Sequence, residues 1–330
     1  MPHFRGKLGG KEAKLPPMLQ RGASSATAKV ALAGSLRRRW RLSEKAIEGW
    51  IFLNGLLAVV VLLGVLVLLL REGLPAFSYT PVWKFFFGTK WYPVSEPPTF
   101  GMLPFFVATL WVTLVSTAIA MPVGIGCAAY LAEVAPAKVR ETVKPIVELL
   151  AGIPSVVMGF IGLMLLSPLV QSTFHLNTGL CGLTAAIMLS MMSLPIIVSV
   201  SEDALRAVPN EFREAAYALG ATKWETIKYV CIPGALSGIA AATMLGVGRA
   251  IGETMTVLMV AGGALAIPYL PTEPMMPITA AIASGIGNAV RGGLQYQALF
   301  AIGLVLFVMT LSVNLIADRV LERQKRKFAR

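Results

Sequence analysis

The chain has 330 residues, of which 56% are hydrophobic and only 14% are charged. Soluble proteins carry about 25% charged residues, so this composition excludes an ordinary soluble domain and indicates a polytopic membrane protein. Three cysteines without a CxxC pair and two widely separated histidines indicate neither a disulfide framework nor a metal centre, and we expect no cofactor. The formal net charge of +12 does not indicate a nucleic-acid partner, because the basic residues flank apolar segments.

Residues 1–46 are polar and rich in basic side chains, which predicts a disordered cytoplasmic tail. The end of this tail, with Arg37, Arg38 and Arg39, either contacts anionic lipid headgroups or only sets the orientation of the chain. An apolar run of about 20 residues follows, which is long enough to span a bilayer. This length and the long charged region before it favour a membrane helix over a cleaved secretory signal.

Six apolar segments predict six transmembrane helices in an all-α protein. The predicted spans are 49–71, 103–131, 145–167, 180–201, 235–262 and 295–317. Prolines lie inside several of them, at Pro104, Pro122, Pro154 and Pro195. Because proline removes a backbone hydrogen bond, we expect kinks or breaks at these positions.

The basic residues predict how these spans are oriented. If the N-terminus is cytoplasmic, 24 of the 29 Lys and Arg residues fall in cytoplasmic segments. This bias follows the positive-inside rule, so we expect both termini and the loop 202–234 in the cytoplasm. The external segment 72–102 is rich in aromatic residues and proline. Its rings either anchor the chain at the membrane interface or form a platform for an external partner.

The cytoplasmic loop contains a predicted short helix. Pro209 and Asn210 favour its start, and Gly220 is suited to a left-handed cap at its end. A face of small residues on this helix permits close approach of another surface, and Glu214 offers an acceptor there. The small residues are Ala215, Ala216, Ala218 and Gly220. From these local features alone, the segment is either a docking site or a simple surface hairpin.

A second short helix follows and leads into a membrane span. Thr222 and Glu225 have the spacing of a capping box, and Pro233 marks the end of this helix and the start of the span. The span carries two charges, Arg249 and Glu253, which we expect on one helix face because they are four residues apart. Placing an arginine in the middle of a span costs about 2.5–3.5 kcal/mol on insertion scales.

Two interpretations of these charges compete. In the first, Arg249 and Glu253 neutralise each other and hold the helix in register. In the second, Arg249 offers a forked donor to a passing oxyanion, and Glu253 weakens the attraction so that the anion can leave. A stripe of small residues, Gly238, Ala242 and Gly246, continues the face of Arg249. Such a stripe favours close helix packing, and we therefore expect the two charges to face a subunit interface or a water-filled path.

The loop also carries a recognisable motif. It consists of Glu214-Ala215-Ala216, followed by Gly220, Val230 and Ile232-Pro233. This motif resembles the EAA signature of the permease subunits of bacterial ABC importers. The spacing makes this resemblance specific, and Val230 and Ile232 are conservative departures from the Ile and Leu of the family pattern. In that family the loop is a coupling helix that sits in a groove of the ATPase subunit.

Other segments resemble more narrowly the PstC-type permeases of the phosphate-specific transporter. These segments are 101–104, 122–126, 147–157 and 248–255. The resemblance covers roughly residues 47–320 and leaves out the beginning of the chain. It implies a type I ABC importer permease fold, in a multi-pass protein of the bacterial inner membrane that moves inorganic phosphate into the cytoplasm.

The resemblance also implies partners and roles. The partners are a sister permease, two ATP-binding subunits and an external phosphate-binding protein. Arg249 and Glu253 match residues that the family needs for transport, and the EAA residues with Gly220 match its ATPase contact. The chain has no Gly-x4-Gly-Lys-Ser/Thr motif, so we expect a transport subunit that depends on a partner for ATP hydrolysis and is not itself an enzyme.

The expected organisation has five parts. They are the tail 1–46, the first helix 47–71, the external segment 72–102, the permease core 103–320 with its coupling loop 202–234, and the basic cytoplasmic C-terminus 321–330.

Other possibilities stay open from the sequence. The same machinery could move another oxyanion, such as sulfate or molybdate, because one arginine can bind any of them. A proton-coupled secondary transporter would use Glu253 as a relay, although it would need no ATPase docking loop. Glu148, near Pro154, is either an interfacial carboxylate or a further residue of the transport path.

Overall fold

The computed structural model describes residues 47–328. The predicted disordered tail 1–46 lies outside this range, and so do the last two residues of the predicted C-terminus. The chain divides into two units, residues 1–65 and 66–330. Helix α1 comprises residues 47–73, and the stretch Ile47–Tyr79 is long and apolar enough to cross a membrane.

The segment 72–102, which the sequence predicts to be external, has secondary structure of its own. Its elements are α2 (Ala76–Tyr79), α3 (Val82–Phe87), β1 (Trp91–Tyr92) and β2 (Thr99–Phe100). The strands pair antiparallel, with Trp91 opposite Phe100. The Trp91 ring packs edge-on against Phe100 and Phe105, at centroid distances of 5.3 and 5.2 Å, and all three residues are buried. Part of the aromatic content therefore forms a core, whereas Trp83 remains exposed.

The centre of the second unit is a pair of long helices, α4 and α8. Helix α4 (Leu103–Ala129) continues into a π-helical turn, Tyr130–Val134, and α8 comprises Gly182–Arg206. Many of their buried residues are Ala, Ser and Thr, whose small side chains permit close approach of membrane helices. Pro122 and Pro195 lie inside these helices without ending them.

The third span begins later than predicted. Residues 137–151 form a separate helix, α5 (Ala137–Ala151), and the membrane helix starts only at Ser155. It runs as α6 (Ser155–Ile161), a π turn (Gly162–Leu166) and α7 (Ser167–Phe174). The predicted span 145–167 therefore starts too early, whereas the interruption expected at Pro154 is confirmed. Its physical reason is Pro154, which disfavours helical geometry in the residue before it.

The loop and the fifth predicted span are divided in a similar way. The elements are α9 (Asn210–Ala218), α10 (Lys223–Thr226), a π turn (Ile227–Cys231), α11 (Ile232–Gly234), α12 (Leu236–Gly252) and α13 (Met255–Val260). The axis bends by 71° between Lys223–Gly234 and Leu236–Gly252. The predicted span 235–262 begins at this bend, as expected, but it is not one continuous helix, because α12 ends at Gly252 and α13 starts at Met255.

Two further helices complete the described chain, α14 (Ile278–Ile286) and α15 (Leu294–Phe328). Within residues 47–328, five helices are long and apolar enough to cross a membrane, and there are up to six if the bent pair counts as one span. The predicted all-α polytopic architecture is thus confirmed.

Candidate functional site

The first part of the candidate site is the short helix α9 in the loop 202–234. Pro209, with φ −59° and ψ 142°, precedes its first turn, as the sequence predicts. At its other end Gly220 has a φ of +84°, the left-handed conformation expected for it. The Gly220 amide donates to the Tyr217 carbonyl at 2.9 Å, and the Ala221 amide donates to the Ala216 carbonyl at 3.1 Å. These two bonds form a Schellman motif, which satisfies carbonyls at the helix end.

The surface of α9 differs in one respect from the predicted small-residue face. Glu214, Ala215 and Gly220 are exposed, but Ala216 is buried against the rest of the chain. Large apolar side chains are also exposed beside the cap: Leu219 is 89% exposed and Trp224 is 68% exposed. An exposed apolar patch around a rigid turn is a surface suited to docking. Ala216 anchors this surface and takes no direct part in it.

Helix α10 starts with the predicted capping box. The Glu225 amide donates to Thr222 Oγ1 at 3.3 Å, and the Thr222 amide donates to Glu225 Oε2 at 2.8 Å. The backbone and hydroxyl hydrogen bonds from Thr222 lower the pKa of Glu225. The turn between α9 and α10 is therefore fixed from both sides, by the Gly220 cap and by this box.

A charged cluster that the sequence did not reveal lies close to the loop. Lys144 of α5 donates to Asp203 Oδ1 at 2.7 Å and also to the carboxylate of Glu202, which is fully buried at the end of α8. Burial lowers the pKa of Lys144, but the hydrogen bonds to Asp203 and Glu202 outweigh it and leave the pKa raised. Lys144 thereby stays charged and ties α5 to α8. Residues 58 positions apart in the sequence form this contact, so local patterns could not indicate it.

The second part of the candidate site is the pair of charges in the membrane. Arg249 is half-buried in α12, and its Nε is buried without a hydrogen-bond partner. Glu253 follows the last residue of that helix and has an extended backbone, with φ −72° and ψ 130°. Glu253 thus caps the helix that carries Arg249, and the expectation that both side chains lie on one helix face stays a prediction. No ion pair joins these two residues, both of which lie in the described part of the chain.

Contacts at the break hold Glu253 in place instead. Thr279 Oγ1 of α14 donates to the Glu253 carbonyl at 2.7 Å. Thr256 Oγ1 of α13 lies 3.5 Å from Glu253 Oε1, and it also donates to the Ser155 carbonyl at 2.9 Å. The break between α12 and α13 is therefore connected to the start of α6 and to α14.

The small-residue stripe of α12 packs within the chain. A Cβ on Gly238 would collide with the Cβ of Ala204, and one on Gly246 would lie 2.8 Å from Ile197 Cδ1. Both neighbours belong to α8, and Ala242 between the two glycines is fully buried. The close helix packing that this stripe predicts is thus confirmed, with α8 as the partner, whereas the expectation that the charges face a subunit interface or a water-filled path stays a prediction.

The remaining candidate, Glu148, is exposed on α5. Helix α5 ends before Gly152, ahead of the membrane helix that starts at Ser155. Its role in transport stays a prediction.

Comparison with known proteins gives a consistent result. Residues 120–329 match the family described as binding-protein-dependent transport system inner membrane component. The "Probable ABC transporter permease protein YqgH" of Bacillus subtilis is 37% identical over 271 residues, which cover 81% of this chain and 85% of that protein. The "Phosphate transport system permease protein PstC" of Mesorhizobium japonicum is 37% identical over 305 residues, which cover 87% and 92% of the two chains.

Solved structures resemble the fold at lower identity. A chain of a bacterial alginate ABC transporter, in complex with an alginate-bound periplasmic protein, aligns with a TM-score of 0.58 and 18% identity, covering 83% of this chain and 94% of that one. An inward-facing MetNI methionine ABC transporter chain aligns with a TM-score of 0.54 and 22% identity, covering 70% and 99%. These likenesses confirm the predicted fold class.

Proposed function

The chain belongs to the binding-protein-dependent transport system inner membrane components, and from this we propose that it is a permease subunit of an ABC importer that moves inorganic phosphate into the cytoplasm. The observation that carries the choice of phosphate is the relatedness to proteins named as phosphate permeases. Such relatives come from several bacteria and are 34–37% identical over most of the chain. The alignment with one of these relatives covers 92% of its length, which supports the same architecture for this chain.

The geometry of the loop supports the role of ATPase docking. Glu214, Ala215 and Gly220 are exposed beside the apolar side chains of Leu219 and Trp224. The cap and the capping box fix the turn, so little conformational entropy is lost when a partner covers it. We assign the ATP-binding site to separate subunits, because the chain carries no phosphate-binding glycine-rich motif. Ala216 is buried on the opposite side of α9, where it packs against the rest of the chain and supports this surface.

The geometry of the membrane site supports a path for an oxyanion. Arg249 has a donor without a partner, and a guanidinium binds oxyanions through several parallel hydrogen bonds. The helix that carries Arg249 breaks at Glu253, and broken helices form the substrate sites of many transporters. Because Glu253 does not pair with Arg249, the guanidinium is available to the anion. Glu253 lies at the break, where its charge would limit how tightly an anion is held.

The proposed assembly follows from the family. The chain would pair with a sister permease, two ATP-binding subunits and an external phosphate-binding protein. The distribution of basic residues places both termini and α9 on the cytoplasmic side, so the ATP-binding subunits would approach from there. Anionic lipids would contact the basic tail.

Uptake into vesicles tests this proposal. Vesicles would contain the permease with its sister permease and ATP-binding subunits, and they would receive labelled phosphate with the binding protein, with and without ATP. We expect uptake that requires both ATP and the binding protein. Uptake driven by a proton gradient without ATP would favour a secondary transporter, and preferential uptake of sulfate or molybdate would replace phosphate by another oxyanion.

A further inference from the structure

Arg213, the residue before the Glu-Ala-Ala motif, makes a forked ion pair with a residue of another helix. Its Nη2 lies 2.7 Å from Glu133 Oε1, and its Nε lies 3.2 and 3.3 Å from the two oxygens of that carboxylate. The side chains are only 13% and 9% exposed, respectively. Paired hydrogen bonds of this kind fix orientation as well as distance, and little water competes with them here.

The same guanidinium also binds the end of a third element. Nη2 donates to the Leu205 carbonyl in the last turn of α8 at 2.9 Å, and Nη1 donates to the Val208 carbonyl. Nη1 further contacts Asn210 Oδ1 at 3.1 Å, in the first turn of α9. One side chain of α9 therefore holds the cytoplasmic ends of α4 and α8 together with the start of its own helix.

Two irregular turns meet at this contact. Glu133 lies in the π turn Tyr130–Val134, and the π turn Ile227–Cys231 ends at the buried Cys231, which packs in one apolar cluster with Leu205 and Val208. Isolated π turns are frequent at functional sites, where they change the direction of a helix. The hydrogen bonds to Glu133 raise the pKa of Arg213, so the cation persists in spite of its burial. A charged link thus connects α9 to two helices at points where their geometry departs from a regular α-helix.

Apolar packing provides little alternative support for α9. Of its nine residues, Asn210–Ala218, only Ala216 is buried. A displacement of α9 would therefore act on the rest of the chain mainly through Arg213. The neighbouring apolar cluster, which includes Leu205, Val208 and Cys231, lies directly behind this side chain.

We propose that Arg213 is a positioning residue that transmits movements of the docking helix α9 to the membrane helices α4 and α8 through Glu133 and the Leu205 carbonyl. This inference rests on the proposed docking of an ATP-binding subunit at α9. It assigns a mechanical role to a residue outside the exposed docking surface. Because of the Arg213–Glu133 pair, α9 and the ends of α4 and α8 would move together.

The test measures the number of phosphate ions imported per ATP hydrolysed by the complete complex in vesicles. Arg213→Gln with Glu133→Gln removes both charges, so neither is left buried without a partner. We expect this double variant to co-purify with all its subunits while the import ratio falls about tenfold, a typical size for a coupling between two sites. Arg213→Lys, which keeps the charge and loses the fork, should fall between the double variant and the unchanged protein.

Arg206→Gln is the matched control. Arg206 is the last residue of α8, is 48% exposed and reaches Glu202 only at 3.5 Å, while Lys144 still neutralises Glu202. We expect its import ratio to be unchanged. An unchanged ratio in the double variant would overturn the inference, and so would loss of assembly, because the pair would then act in folding alone. Failure of the proposed function would appear differently, as an absence of ATP-driven phosphate uptake by the unchanged complex.

Discussion

Arg249 lies in the last turn of α12, whereas Glu253, four residues further along the chain, lies just beyond the end of that helix at Gly252 and has an extended backbone. A continuous helix would have placed the two side chains one turn apart, where they could neutralise each other. In the structure, Arg249 Nε is buried without a partner, and Thr256 and Thr279 contact Glu253. The break turns a potential structural pair into two separately placed charges.

This arrangement leads to a prediction about transport. We expect Arg249→Gln to abolish phosphate uptake while the complex still assembles, because the substitution removes the forked donor for the anion and breaks no ion pair. Uptake into vesicles and co-purification of the subunits measure the two effects. The double variant Arg249→Gln, Glu253→Gln should remain inactive. Near-normal uptake by that protein would refute the transport role of both residues.

A second prediction concerns the turn after α9. Gly220→Val should weaken association with the ATP-binding subunit and leave membrane insertion intact. The φ of +84° at this position costs a residue with a Cβ about 1–2 kcal/mol, and valine is among the least tolerant residues there. Gly287→Val is the matched control, since Gly287 has a φ of −66° and no atom near the added Cβ. Co-purification of the ATP-binding subunit at unchanged levels with Gly220→Val would contradict the prediction.

The orientation of the chain can be tested with single cysteines in a background without the three native ones. We expect an impermeant thiol reagent to label Ser172→Cys and Thr272→Cys from outside the cell. Asn210→Cys should react only after permeabilisation, or after removal of a bound ATP-binding subunit. The physical reason is the excess of basic residues in the segments assigned to the cytoplasm. External labelling at position 210 would reverse the assigned orientation.

A fourth prediction concerns the contact between α12 and α8. Gly238→Ala should destabilise the purified protein, because the new methyl group would collide with the Cβ of Ala204, which has no flexible end to move away. Overpacking of this kind costs about 1–3 kcal/mol and should lower the melting temperature. Gly126→Ala in α4 is the control, as nothing lies within 4 Å of the added Cβ. Equal melting temperatures for the two variants would show that the helices are less closely packed than the structure indicates.

Local patterns predicted several features of this protein correctly. The cap at Gly220 and the capping box of Thr222 and Glu225 involve residues no more than five positions apart, so their spacing alone specifies the hydrogen bonds. Apolar runs predicted the membrane helices, because the bilayer demands a minimum length of such residues. Pro154 marked the start of the third span, although the prediction treated it as a kink inside a longer helix.

Tertiary structure alone decided the relationships between distant segments. The contact of Arg213 with Glu133 joins residues 80 positions apart, and no local spacing encodes it. The small residues of α12 have the same pattern whether they face another subunit or α8, and only the packing of Gly246 against Ile197 selects α8. The end of α12 before Glu253 likewise depends on Thr279, which binds the freed carbonyl from a helix far along the chain. Sequence patterns thus determined which segments enter the membrane and how the loop turns, whereas the partners of each buried charge depended on helices that meet only in the folded chain.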